Sequence, residues 1–217
     1  MNIKCCLSSL ALLLAPTVAA AQSAAHFYGT VSFGATTGNL SVDEINNGFR
    51  TDGLFPSSTT IENKDAAYRL GGGYRFSPAV AVELYYADLG KYSSQSVASF
   101  TPTSGRLDIS ALYKSAGVGV DVVFGAPLGE AFGVYGRAGV IRAKTQGIFS
   151  LVGSPSFRVT NGTANKVGNV LGVGLKYDVS KQLSVNLEAQ RVAKLGDDST
   201  GGELRLNIYS LGANFNF

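Results

Sequence analysis

The sequence predicts an all-β fold, an eight-stranded antiparallel up-and-down transmembrane β-barrel with long extracellular loops and short periplasmic turns. Three observations predict it. Eight runs of strict alternation between apolar and polar or small residues lie between turn-forming segments. The connections between them alternate long, short, long, short, long, short, long, which in an antiparallel meander places every long loop at one end. The last nine residues, Tyr209 to Phe217, put Tyr209, Leu211, Ala213, Phe215 and Phe217 on one face and Ser210, Gly212, Asn214 and Asn216 on the other, then stop on an aromatic.

The strands are expected in the following order. Strand one runs from about Phe27 to Thr36 and is followed by a polar segment over 37–64. Strand two, Ala67 to Phe76, turns at Ser77-Pro78 into strand three, Val80 to about Asp88. A second polar segment, 89–106, leads to strand four, Ala111 to Phe124, and a short turn at 125–130 to strand five, Phe132 to about Ala143. After a third polar segment, 145–165, come strand six, Val167 to Val179, a turn at 180–182, and strand seven, Leu183 to about Val192. The polar stretch 193–203 then precedes the closing strand, which begins near Leu206.

Composition limits the alternatives. Residues 1–21 combine Lys4, a short apolar run and Ala19-Ala20-Ala21, the pattern of an export leader, leaving 22–217 as the barrel domain. Both cysteines, Cys5 and Cys6, fall inside that leader, so disulfides, thiolate catalysis and cysteine-ligated metals are not expected in the mature chain. The formal net charge is only +3 for the whole chain, and loss of Lys4 lowers it, which gives no footing for a nucleic-acid partner. Mean hydropathy is +0.15 although no apolar run after the leader nears the ~20 residues of a membrane helix. The apolarity is spread over alternating strands, with 27 glycines, 10 tyrosines and 12 phenylalanines.

The two faces differ in chemistry. Aromatics of the apolar face gather at the short-turn end, at Phe27, Tyr74, Phe76, Phe124, Phe132, Tyr177, Phe215 and Phe217, as an interfacial girdle, with a thinner set at Tyr68, Tyr86 and Tyr209. The opposite face carries Arg69, Arg75, Arg137 and Lys176 with Glu83, Asp121, Asp178 and Glu188. An eight-stranded ring has an interior only wide enough for side chains, so these eight are expected to interlock as an ion-pair network beside Tyr28, Tyr85 and Tyr135. Such a network either plugs and stiffens the barrel or gates a narrow path. The glycine clusters at 71–73 and at Gly172 and Gly174 lie inside strands, so they read as room for neighbouring Arg and Tyr side chains and not as phosphate loops.

Several stretches resemble the outer membrane protein A family and, more broadly, small Gram-negative outer-membrane barrels. They are Gly72-Gly-Tyr-Arg-Phe-Ser-Pro78, Val82-Glu-Leu-Tyr-Tyr-Ala-Asp-Leu-Gly90, Val134-Tyr-Gly-Arg-Ala-Gly139, Leu187-Glu-Ala-Gln190 and the closing strand. By that resemblance Glu83, Arg137 and Glu188 match interior charged positions, whereas Lys176, Asn186 and Val123 stand where the family has a carboxylate, an arginine and a lysine. The resemblance implies residence in the outer membrane, contact with outer-membrane lipid and lipopolysaccharide, and recognition of Phe217 by the outer-membrane assembly machinery. It extends over the barrel and not over the periplasmic peptidoglycan-binding domain of the larger members.

The expected function is structural or surface-interactive, with a narrow gated pore as the alternative. The three longer loops carry single aromatics, Phe49, Phe55, Phe100, Phe149 and Phe157, suited to host or neighbouring-cell surfaces. A lipid-modifying enzyme would need an activated nucleophile, and the one histidine, His26, lies at the start of strand one with no serine placed beside it. Asp197-Asp198-Ser199 lacks the spacing of a calcium loop. No catalytic residue, metal site or cofactor is therefore expected. A soluble lipocalin-type barrel would need the apolar face inside and the charges outside. If Phe217 carries the assembly address, its deletion lowers the yield of barrel in the outer-membrane fraction, and an unchanged yield contradicts that role.

Overall fold

The computed structural model describes residues 25–101, 104–153, 157–200 and 202–217; the expected leader, 1–21, lies outside them. Among the described residues nine strands, one α-helix and one 3-10 turn follow in order: β1 (His26–Gly38), α1 (Val42–Thr51), β2 (Phe55–Glu62), β3 (Lys64–Ser77), β4 (Val80–Thr101), β5 (Ser104–Pro127), β6 (Phe132–Gly153), β7 (Phe157–Asp178), β8 (Leu183–Leu195), the 3-10 turn (Asp198–Thr200) and β9 (Leu204–Asn216). Every pairing is antiparallel. β1 pairs with β3 on one side and β9 on the other, and β3 to β9 each join their neighbours in sequence. The result is a closed ring of eight strands, β1 and β3 to β9. The seam between first and last runs from Tyr28 opposite Asn216 to Gly38 opposite Leu206, and the Phe217 N–H donates to the Phe27 carbonyl at 3.1 Å.

Burial is inside out relative to a soluble barrel. Phe27, Leu70, Leu84, Val118, Leu171, Val173, Leu187 and Leu211 are more than half exposed, while Arg69, Glu83, Asp121, Arg137 and Glu188 are buried. That excludes the lipocalin-type arrangement and leaves a stripe that only lipid can cover. Aromatic contacts mark the turn-end girdle, with ring centroids 4.8 Å apart for Phe27 and Tyr74, 4.9 Å for Tyr74 and Phe76, and 4.8 Å for Phe132 and Tyr177. A looser upper set joins Phe33, Tyr68 and Tyr86 at 6.5 and 6.3 Å.

Two expectations about the long connections need correction. The segments 89–106 and 145–165 are strand for most of their length, because β4, β5, β6 and β7 continue past the membrane belt as paired hairpins. The segment 37–64 holds α1 and β2, and β2 adds to the upper part of β4 with Phe55 opposite Ser99. Half of the ring therefore rises into a five-stranded wall, β2-β4-β5-β6-β7. Outside lipid no apolar stripe is required, so register carried up from the barrel, not alternation, holds these strands. β4 passes from belt to wall at a bulge between Asp88 and Lys91, where Gly90 takes a φ of 90° that a side chain would strain.

Candidate functional site: the barrel interior

Three direct cross-strand pairs of tyrosine and glycine organise the middle of the barrel. Tyr28 lies opposite Gly73, Tyr85 opposite Gly119 and Tyr135 opposite Gly174. A Cβ placed on any of the three glycines would overlap the facing ring. Each glycine thus lets a tyrosine lie flat across the neighbouring strand and bring its hydroxyl to the centre. Tyr28 donates to Glu83 Oε1 at 2.8 Å, Tyr85 to Asp121 Oδ1 at 3.1 Å and Tyr135 to Glu188 Oε2 at 2.7 Å. Every central carboxylate receives one phenol.

Two guanidiniums complete the cluster. Arg137 Nη1 lies 2.7 Å from Glu83 Oε2 and 2.9 Å from Asp121 Oδ2, and its Nε lies 2.8 Å from Glu188 Oε1. Arg69 reaches the same three acids at 3.3, 3.6 and 3.9 Å and sits over the Tyr85 ring, 4.7 Å from its centroid. Arg137 is the hub, and Arg69 is the looser partner. Two cations face three anions, so the tyrosine hydroxyls supply part of the stabilisation that a third cation would give. The Nε and Nη1 atoms of Arg69 have no hydrogen-bond partner among the described residues, and a void of about 20 Å³ that Arg69 helps line is of one-water size.

The eight charges expected to interlock divide into two groups. Arg69, Glu83, Asp121, Arg137 and Glu188 form the cluster. Arg75, Lys176 and Asp178 lie nearer the short turns: Arg75 stacks over Tyr28 at 5.3 Å, and Lys176 pairs with Asp178 at 3.1 Å in a partly exposed bridge. With Asn186, Asn214 and Asn216 they line a vestibule of about 670 Å³ whose inner end reaches Glu83 and Arg137 and whose mouth is framed by turn residues such as Glu130 and Ser180. His26 is here too, with Nε2 3.3 Å from Asn216 Oδ1.

On the loop side of the charges the interior becomes apolar. Leu89, Tyr92, Ile141, Val170, Val192, Leu195, Leu206 and Ile208 form one buried cluster, joined by Ala67, Ala87, Ala143 and Leu204. The Tyr92 hydroxyl is satisfied by Thr36 at 2.7 Å and the Leu89 carbonyl at 2.6 Å, so a polar group in this layer leaves no unpaired atom. The alternation pattern carried a signal for this layer. In β9 the apolar set is Leu204, Leu206, Ile208 and then, one step out of phase, Tyr209, Leu211, Ala213, so the first group must point inward if the second points to lipid.

The last extracellular turn is closed by its own chemistry. Asp197 accepts from the Ser199 hydroxyl at 2.6 Å and backbone N–H at 3.0 Å and pairs with Lys166 at 3.3 Å, contacts that hold its carboxyl below the usual range. Among the described residues no cluster of three or more potential metal ligands occurs.

Residues 23–217 match the family model described as the OmpA-like transmembrane domain. The chain is 27% identical over 172 residues to outer membrane protein A of Shigella flexneri, covering 78% of this chain and 45% of that protein. It is 27% identical over 173 residues to outer membrane protein A of Klebsiella pneumoniae, covering 78% and 46%. The chain thus spans less than half the length of these relatives. Among solved structures, the attachment invasion locus protein Ail of Yersinia pestis is 16% identical, with 88% of this chain and 99% of that one covered and a TM-score of 0.47.

Removing one partner of a buried ion cluster leaves uncompensated charge, at a cost of roughly 3–5 kcal/mol. Arg137→Met is therefore expected to lower the urea midpoint of the refolded barrel by an amount in that range, and Arg137→Met combined with Glu188→Gln to recover part of it. A loss below about 1 kcal/mol for the single variant would contradict the hub role.

Proposed function

The chain belongs to the OmpA-like transmembrane domain family, and from that premise we propose that it acts as a sealed outer-membrane barrel. Its interior resists passage, and its extracellular wall makes contact with other surfaces. The observation that carries the sealed reading is the apolar layer around Leu89, Ile141, Val192, Leu206 and Ile208. A gate made of ion pairs opens by exchange of partners, and Arg69, within reach of three carboxylates, has the looseness for that. Any path so opened from the vestibule still ends against buried aliphatic side chains that offer an ion no ligand. The charge cluster then serves as a stiffening plug, and the narrow gated pore is the second reading.

The contact reading rests on the wall. Phe55 and Phe100, both about half exposed, stand near its tip, with Val42 of α1 also exposed. Phe149 is less available, because its ring packs edge-on against Tyr113 at 5.7 Å, and the Phe157 side chain lies outside the described residues. Residues 1–21 as export leader, 22–217 as barrel domain and Phe217 as the group read by the assembly machinery belong to the same proposal. Phe217 is 80% exposed and held at the seam through its backbone, so its ring is presented without being needed for closure. A non-catalytic role fits the placement of His26 at the turn end beside Asn216.

Two measurements test the two halves. In planar bilayers the purified barrel is expected to give no steady conductance, and Arg137→Met none either, since the apolar layer is untouched; a stable open channel in the unaltered protein sinks the sealed reading. Cells displaying Phe55→Ser with Phe100→Ser are expected to adhere less to host or neighbouring cells than cells displaying the unaltered barrel. Equal adhesion removes the contact reading.

A further inference from the structure

The vestibule under the short turns is built on two opposed cations. Arg75 and Lys176 each stand two residues closer to the turns than a glycine, Gly73 or Gly174, that seats a central tyrosine. In the ring order β1-β3-β4-β5-β6-β7-β8-β9 their strands, β3 and β7, are four apart, on opposite sides of the bore. The two side chains are therefore poles of one level, just outside the ion cluster.

Between the poles the two arcs of wall differ. Through β8, β9 and β1 the wall is polar: Asn186 lies opposite Lys176, Ser184 opposite Asp178, and Asn214 opposite Ser184. Asn214 Oδ1 is buried with no hydrogen-bond partner among the described residues, so its amide is free to turn over and present Nδ2 instead. Through β4, β5 and β6 the neighbours of the poles are apolar or bare. Ala81 lies opposite Arg75, Val123 opposite Ala81, and Gly133 opposite Lys176. One side offers donors and the other hydrocarbon.

Charge then selects the kind of ligand. The cluster at the inner end holds three carboxylates against two guanidiniums, so an anion is turned back there. Lys176 is held by Asp178 at 3.1 Å, and Lys181 and Glu130 at the mouth are of opposite sign. Arg75 stacks on Tyr28 and has no ion pair among the described residues, which makes it the cation left over. We propose that the vestibule binds a small organic monocarboxylate from the periplasm. Its carboxylate meets Arg75 and the Asn214 amide, and its apolar flank lies on Val123. At about 670 Å³ the vestibule is of the size that holds small molecules. The site needs the vestibule and not the seal, so a conducting barrel would leave it standing, and a vestibule that binds nothing would leave the sealed reading intact.

The test uses the full barrel refolded in zwitterionic detergent micelles, with the amide resonances of Val123 and Ser184 followed as benzoate, benzamide or inorganic phosphate is added. Saturable shifts are expected with benzoate. Benzamide, the uncharged analogue of the same shape, and phosphate, which has no apolar flank, are expected to bind at least about tenfold more weakly. A hydrogen bond to a charged group is a factor of about ten or more in affinity, so Arg75→Gln is expected to weaken benzoate binding by about that factor. Arg191→Gln, on the outward face, is expected to bind as the unaltered protein does. Benzamide matching benzoate would leave apolar packing alone, and phosphate matching it a bare anion site; either overturns the proposal, as does unchanged affinity in Arg75→Gln or the absence of a saturable shift with benzoate. An equal, saturating shift at the outward Leu84 marks uptake by the micelle and overturns it too. Should Arg75→Gln fail to refold, the Arg75 Nε resonance of the unaltered barrel is expected to move with benzoate and not with benzamide, and a stationary resonance overturns the proposal.

Discussion

Lipid accepts no hydrogen bonds, and the rest of this structure follows from that. Every backbone group in the belt must be paired around a closed ring, and the seam between β1 and β9 is where the ring closes. Closing with eight strands fixes a bore that only side chains fill. Whatever points inward must then be satisfied by other inward groups. The three tyrosines lying across Gly73, Gly119 and Gly174 meet that demand, since each brings a donor to a carboxylate without widening the ring. Arg137 ties the three carboxylates together.

The interior is layered along the barrel axis. A polar vestibule faces the short turns, the ion cluster lies across the middle, and an aliphatic layer lies toward the loops. A water-filled channel would need polar groups throughout its length. Here the charges meet the vestibule on one side and Ile141, Val192 and Ile208 on the other, the arrangement on which the proposed sealed reading rests. Outside the ring the order reverses, and apolar side chains such as Leu84, Leu171 and Leu211 face outward.

Which face each belt residue takes was legible in the sequence, because a strand covered by lipid on one side must alternate strictly; Leu84 out and Glu83 in follow from parity alone. Height along the axis was less legible. It depends on the stagger between strands, which parity does not encode, and so Arg75, Lys176 and Asp178 share a face in the sequence with charges that lie deeper in the barrel. The aliphatic layer was written as a phase change between Ile208 and Tyr209 and is read only once inside and outside are assigned. β2 and the upper parts of β4 to β7 escaped because their buried face is lined largely by small residues such as Ser94, Ser96, Ala98, Ala111 and Ala164, which leave little apolar alternation to read. In α1, Val42, Ile45 and Phe49 keep helical spacing, yet Asn46, Asn47 and Gly48 are weak helix formers, and the segment read as loop.

The layering is tested most directly by a thiol placed at each level of a chain whose cysteines, Cys5 and Cys6, fall in the proposed leader. Asn214→Cys places one in the vestibule and Ile208→Cys one in the aliphatic layer. With a charged, membrane-impermeant thiol reagent, Asn214→Cys is expected to react from the turn side alone and Ile208→Cys from neither side. Reaction of Asn214→Cys from the loop side, or of Ile208→Cys from either, would contradict a sealed interior.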